Sequence, residues 1–174
     1  MIDFSRNHFE LFGLEPRFRF DTAVLDHAYR ALQTDIHPDR HAAGSDEQQR
    51  VALQSSARVN EAYRTLKDPV SRAEYLLSLH GITDDGDRAL SVEFLEQQLE
   101  RREQASDAVE AEDVPALDAL VRDVRSEVRE REDALAELLD RKHDWVEARV
   151  RVRELKFLAK VADDVDAMIG MLED

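Results

Sequence analysis

The scarcity and placement of glycine and proline constrain this sequence more than any other feature. Gly13, Pro16, Pro38, Gly44, Pro69, Gly81, Gly86, Pro115 and Gly170 are all it has in 174 residues. They make up about 5% of the chain, against an ordinary usage of ~12%. A turn-rich β sandwich needs many more. Between these breakers the apolar residues recur at helical spacing. The predicted class is all-α.

The pattern resolves into helices with readable ends. A short first helix is expected from about Asn7 to Phe12, stopped by Gly13. Asp21 is a good N-cap for a second helix. Its stripe is Leu25, Ala28, Tyr29, Leu32 and Ile36, and Pro38 disfavours helical geometry at His37. Ser45 with Gln48 forms a capping box for a third helix, which is expected to bury Val51, Val59, Ala62, Tyr63 and Leu66. Asp68-Pro69 starts a fourth, with Ala73, Leu76, Leu77 and Leu79 inward and Gly81 as its stop.

Charge divides the chain. Residues 1–82 carry 10 basic and 12 acidic side chains, a balance of −2. Residues 83–174 carry 14 and 27, a balance of −13. The segment 83–90, with Asp84, Asp85, Gly86 and Asp87, reads as an exposed acidic linker. Residues 91–174 read as a three-helix bundle: one helix from Ser91 to about Glu110, one after Asp113-Val114-Pro115, and one from about Asp144 to Leu172. The main stripe of the last helix is Trp145, Ala148, Val152, Leu155, Ala159, Ala162, Ile169 and Leu172. Phe157 lies two residues, or ~200°, from Leu155. It is expected at the surface with Val150 and Val161, as a natural interface anchor. Leu95 and Leu99 share one face, which suits a core or an exposed patch equally.

Composition excludes whole classes of function. Zero cysteines exclude disulfides, thiolate catalysis, zinc fingers and cysteine-ligated clusters. A net charge of −15 argues against general binding to nucleic acid or anionic membrane. No window reaches ~18 uninterrupted apolar residues, so no transmembrane helix is expected. The start, MIDFSRNHFE, reads as no secretory signal. No Walker A sequence or Gly-rich dinucleotide turn occurs. His37 and His41 are four apart, but Pro38 breaks the helix that would give this spacing meaning. No cofactor, metal site or catalytic residue is expected, and the chain reads as a soluble cytoplasmic protein.

The tripeptide His37-Pro38-Asp39 is weak taken alone, because a proline turn with an Asp accepting from a backbone amide accounts for it. Its setting is more specific. Tyr29-Arg30-Ala31-Leu32 precedes it, Arg40 follows it, and Asn60-Glu61-Ala62-Tyr63-Arg64-Thr65-Leu66-Lys67-Asp68-Pro69 closes the next helix. Together these resemble a J-domain, the module that activates DnaK-type chaperones. The resemblance implies that His37, Pro38 and Asp39, with Arg30 and Arg40, dock on the chaperone and stimulate its ATPase. Asp26 and Asp35 thin the basic face of the second helix, which implies a dedicated chaperone partner.

A second set of motifs narrows the likeness. Phe9-Glu10-Leu11-Phe12-Gly13-Leu14, Arg72-Ala73-Glu74-Tyr75-Leu76-Leu77-Ser78-Leu79-His80-Gly81, Phe94-Leu95, Leu99-Glu100 and Lys156-Phe157-Leu158 are similar to the HscB family of iron–sulfur co-chaperones. This likeness spans nearly the whole chain, including the acidic bundle. It implies an N-terminal J-domain (a helical hairpin with short flanking helices) over residues 1–82 and a scaffold-binding bundle over 91–174. It also implies an HscA-type chaperone and the IscU-type iron–sulfur scaffold as partners. By position, Leu95, Glu96, Leu99, Glu100, Glu103 and Phe157 would meet the scaffold. Glu96 stands where bacterial relatives can have Met. The zinc-binding cysteines of some eukaryotic members are missing, so the chain looks bacterial-type.

Overall fold

The computed structural model describes residues 3–36, 45–83 and 90–173. Among them the regular structure is helical throughout: α1 (His8–Leu11), α2 (Thr22–Ile36), α3 (Asp46–Lys67), α4 (Pro69–Leu79), α5 (Val92–Glu110), α6 (Val114–Ala136) and α7 (Trp145–Glu173). A π-helical turn, Glu137–Lys142, continues α6. No described helix is long and apolar enough to cross a membrane. The chain divides into two compact units, Met1–Leu79 and His80–Asp174. Most of the expected linker, residues 84–89, lies outside the described residues.

Helix ends follow the side chains that can satisfy open backbone N–H groups. Asn7 and Glu10 form a reciprocal capping box on α1, and Ser45 and Gln48 form one on α3. The Asp21 carboxylate accepts from the Ala23 N–H at 2.9 Å, and Asp68 accepts from Ser71 at 2.7 Å. Asp113 caps α6, with Pro115 in its first turn. Gly13 and Gly81 take positive φ, 68° and 75°, in the turns that end α1 and α4.

In the first unit α2 and α3 pack antiparallel. Asp26 meets Lys67 and Tyr63, while Tyr29 stacks on Tyr63 with ring centres 4.0 Å apart. Farther along, Gln33 and Tyr29 both donate to the Asn60 side-chain oxygen. The apolar core below holds Phe9, Phe12, Phe18, Leu25, Val59, Ala62, Leu66, Ala73, Leu76 and Leu77. Leu79, expected inward, is 41% exposed. It is the last residue of α4, so no further turn covers it.

Besides Ser55, two larger polar side chains in this unit are buried, Arg72 and His8. The Arg72 guanidinium donates to the carbonyls of Leu66 (2.7 Å), Phe18 (2.8 Å) and Lys67 (3.3 Å), and lies over the rings of Phe18 and Phe20. It closes the last turn of α3 and ties it to the segment ahead of α2. His8 stacks on Tyr75 with ring centres 4.1 Å apart, and Tyr75 Oη accepts from the His8 backbone N–H. Burial pushes the His8 imidazole below its ordinary value, and the nearby Arg58 charge pushes the same way.

The second unit is a three-helix bundle. Arg101 on α5 pairs with Glu127 on α6, and Arg125 and Arg131 on α6 pair with Asp166 and Glu154 on α7. These pairs place α6 antiparallel to α7, with α5 and α7 running the same way. The core holds Phe94, Ala105, Leu117, Val121, Val124, Leu158, Ala162 and Val165. Trp145, expected in the core, is only half-buried. It starts α7 at the end of the bundle, where its ring stacks on His80 at 3.8 Å and tilts against His143 at 5.3 Å. Val150 and Val161, expected at the surface, are half-buried as well. Val161 leans on the core cluster.

Two outcomes follow for the first unit. Arg72→Met leaves three carbonyls short of a donor and is expected to lower its stability by about 3 kcal/mol; urea unfolding followed at the tyrosines measures it. Burial disfavours the charged His8 imidazole in the folded state, whereas the unfolded chain protonates near 6.5. Its contribution to stability is complete above that pH and is lost as pH falls below it. A histidine NMR titration should place the His8 midpoint below 6.5.

Candidate protein-interaction surfaces

Each unit presents one surface that the sequence marks. On the first unit, α2 turns Leu25 and Ile36 inward and leaves His27, Arg30 and Ala31 exposed. Asp26 does not subtract from this face as a free charge. It accepts from Lys67 at 2.7 and 2.9 Å and from Tyr63 at 3.0 Å. Those bonds, Lys67 first, hold its carboxyl below the usual carboxylate range. Its charge is thus spent against α3, and Arg30 stands on the open side. His37, Pro38, Asp39 and Arg40 lie outside the described residues.

On the bundle, Leu95 is 44% exposed, Leu99 58% and Phe157 39%. These are large apolar side chains exposed among charged residues, which makes them candidates for contact with another protein. Glu96, Glu100 and Glu103 are exposed on the same helix. The structure brings Phe157 to α5: its ring meets Phe94 edge-on with centres 5.8 Å apart. Leu95 and Leu99, four residues apart, share one exposed face of α5. Leu95 and Leu99, which suited core or surface equally in the sequence, are thus at the surface.

Behind this patch lies an ion network that the sequence reading missed. Glu154 is only 5% exposed. Its carboxylate accepts from Arg131, and from Arg151 at 3.0 Å. Arg131 also donates to Glu127 at 2.8 Å, and Glu127 accepts from Arg101. Burial works to raise the Glu127 carboxyl, but the hydrogen bonds from Arg101 and Arg131 outweigh it and leave it below the usual value. The Arg131 guanidinium lies 5.5 Å from the centre of the Phe94 ring. Phe94 therefore meets both the half-buried Arg131 guanidinium and the Phe157 ring. The available sequence signal was weak: acidic Glu154 follows apolar Val152 and precedes Leu155, on the inward side of α7.

No group of three or more His, Asp or Glu side chains that could hold a metal ion occurs among the described residues. Arg131→Met would leave Glu154 with half its partners at that depth. It is expected to destabilise the bundle by roughly 3 kcal/mol, read from Trp145 fluorescence during chemical unfolding.

Comparison with known proteins covers both units. A family model described as DnaJ domain matches residues 7–75, and one described as HSCB C-terminal oligomerisation domain matches residues 90–166. The co-chaperone protein HscB homolog of Burkholderia multivorans is 48% identical over 175 residues, covering 99% of each chain. That of Paraburkholderia xenovorans is 45% identical over 176 residues, covering 100% of each. Among solved structures, chaperone HscB from Vibrio cholerae aligns with a TM-score of 0.86 at 38% identity, over 96% of this chain and 99% of that one. The human co-chaperone HscB aligns with a TM-score of 0.88 at 29% identity, over 95% and 83%.

Proposed function

This chain belongs to the HscB family of co-chaperones, and on that premise we propose that it works as a coupler between two proteins. Its first unit stimulates ATP hydrolysis by a specialised DnaK-type chaperone of the HscA kind. Its bundle delivers the IscU-type iron–sulfur scaffold to that chaperone, for cluster transfer and maturation of iron–sulfur proteins. It is a co-chaperone and not an enzyme in its own right. The same reading assigns it to the cytoplasm.

The observation that carries the proposal is the patch of Leu95, Leu99 and Phe157, exposed on an acidic bundle that shares one chain with a DnaJ-type unit. Phe157 is the anchor in this reading, with Leu95 and Leu99 beside it. Glu96, Glu100 and Glu103 ring the apolar contact and steer a basic partner surface.

On the chaperone side, His37, Pro38 and Asp39 form the trigger, with Arg30 and Arg40 as its basic neighbours. Asp39 can pair with a partner arginine through both carboxylate oxygens. Pro38 restricts the backbone and lowers the ordering cost of docking. His37 can donate a hydrogen bond near neutral pH. Holding chaperone and scaffold on one chain raises the local concentration of client at the ATPase, so capture and nucleotide turnover become linked.

The test is steady-state ATP hydrolysis by an HscA-type chaperone, with and without this protein and the scaffold. Synergistic stimulation is expected, abolished in a folded His37→Gln variant that still binds scaffold. Phe157→Ala should weaken scaffold binding by ~1–3 kcal/mol in calorimetry. Retained stimulation in His37→Gln would remove the trigger role, and unchanged affinity in Phe157→Ala would remove the anchor.

A further inference from the structure

The seat of α1 on the first unit is built around one titratable side chain. His8 is 5% exposed, and its ring lies flat on Tyr75, with centres 4.1 Å apart and planes 11° from parallel. The His8 backbone N–H donates to Tyr75 Oη at 3.0 Å. Beside it Phe9 is fully buried, edge-on to Phe20 at 6.3 Å and stacked against Tyr75 at 6.0 Å. The helix itself has only four residues. A helix that short has no stability of its own in water, so its position depends on these two rings.

The seat accepts an imidazole and not an imidazolium. His8 Nδ1 is buried and has no hydrogen-bond partner among the described residues. In the neutral ring an unpaired Nδ1 is a lone pair, with the proton on Nε2. A second proton turns it into a buried N–H donor without an acceptor, and sets a charge among aromatic rings. The groups around it do not compensate. From α4 comes the Tyr75 phenol, whose oxygen already accepts from the His8 main chain. From α3 come Arg58, which repels a second cation, and Glu61, which attracts one but pairs with Arg58 at 3.5 Å. On α1 the Glu10 carboxylate is turned to the Asn7 N–H, 2.8 Å away.

We propose that His8 is an acid-released latch: its protonation lifts α1 off the Tyr75 ring and uncovers Phe9 while the α2–α3 hairpin stays folded. The hairpin has fastenings that do not include α1, namely Asp26 on Lys67 and Tyr63, and the Tyr29–Tyr63 stack. The Asp26 carboxyl is held below the usual carboxylate range, first by Lys67, so this contact outlasts the mild acid that titrates a histidine. Arg72 holds α3 to α4 through backbone carbonyls, which do not titrate. Mild acid thus gives the first unit an apolar face of Phe9, Phe20 and Tyr75 that neutral pH keeps closed.

Amide hydrogen exchange of the full chain, followed by NMR from about pH 7.5 to about pH 5 and corrected for the intrinsic rate, tests this. The reporters are the Leu11, Phe12 and Leu14 N–H groups, which donate within α1 and its closing turn. The buried Val59, Ala62 and Leu66 of α3 are the reference. One proton taken up on opening raises the open fraction by up to about ten-fold per pH unit below 6.5. Protection at the α1 reporters is expected to fall at least about three-fold over the range, with none of that loss at α3. The Tyr75 ring resonances report the same release where these amides exchange too fast to follow. His8→Phe and His8→Tyr keep a ring against Tyr75 without titrating in this range, and should stay latched throughout. Tyr75→Phe removes the acceptor of the His8 N–H, so it should loosen α1 at every pH and keep the acid response. Protection lost equally from α1 and α3 would leave His8 as a contributor to the unit's overall stability and overturn the latch. So would α1 protection that does not change with pH, or an acid response that persists in both His8 variants.

Discussion

Glu154 has only 5% of its surface exposed, and a carboxylate at that depth needs cations and hydrogen bonds around it. Arg131 and Arg151 provide them, and Arg131 extends the network through Glu127 to Arg101. One network therefore links all three helices of the bundle. Its consequence reaches the surface. The Arg131 guanidinium lies over the inner ring, Phe94, and Phe94 sets the edge against which Phe157 stands. An exposed aromatic on a lone helix would sample several rotamers, and docking would have to order it. Here the supporting contact is in place before any partner arrives, which reduces that cost.

The first unit uses a buried cation in a different way. Arg72 sends donors to three backbone carbonyls and sets its flat face against two phenylalanines. Planar guanidinium geometry makes this possible, since a lysine has neither the fork nor the face. The result joins the end of α3, the start of α4 and the segment near Phe18. That junction fixes how the α2–α3 hairpin is held from below. The Asp26–Lys67 and Tyr29–Tyr63 contacts fix it from the side. Both units thus devote arginine to positioning.

Much of this was legible before any coordinates. Capping residues announced the starts of α2, α3 and α4, because an N-cap acts within three residues and leaves a local signature. The breakers and the period of the apolar residues announced the all-α class. Phe157 could be nominated for the surface because it lies off the stripe of α7. Other features had no local signature. Val150 and Val161 lie off that stripe too, yet neighbouring helices cover half of each. Trp145 lies on it, yet the bundle ends there and leaves the ring on His80. Glu154 reads as one more charge in a mixed-charge helix until α6 brings Arg131 to it. The π-helical turn at Glu137–Lys142 carries no proline or glycine to mark it; His143, at φ 53°, ends it in the left-handed region.

By itself the sequence determined helix content, most helix boundaries, the charge contrast between the two halves, and the motifs that identify the family. All of these depend on neighbours within a turn or two, or on composition, which a linear reading contains. Only the tertiary structure decided which apolar residues face out. Leu95 and Leu99 sit at helical spacing from core positions, and no periodicity separates an exposed pair from a buried one. It also decided that a carboxylate is buried and that Phe94 meets both Arg131 and Phe157. Those facts depend on residues 23 or more positions apart arriving at one place. The energy that puts them there comes from burying apolar surface, a force without direction that only the packed helices turn into a specific shape.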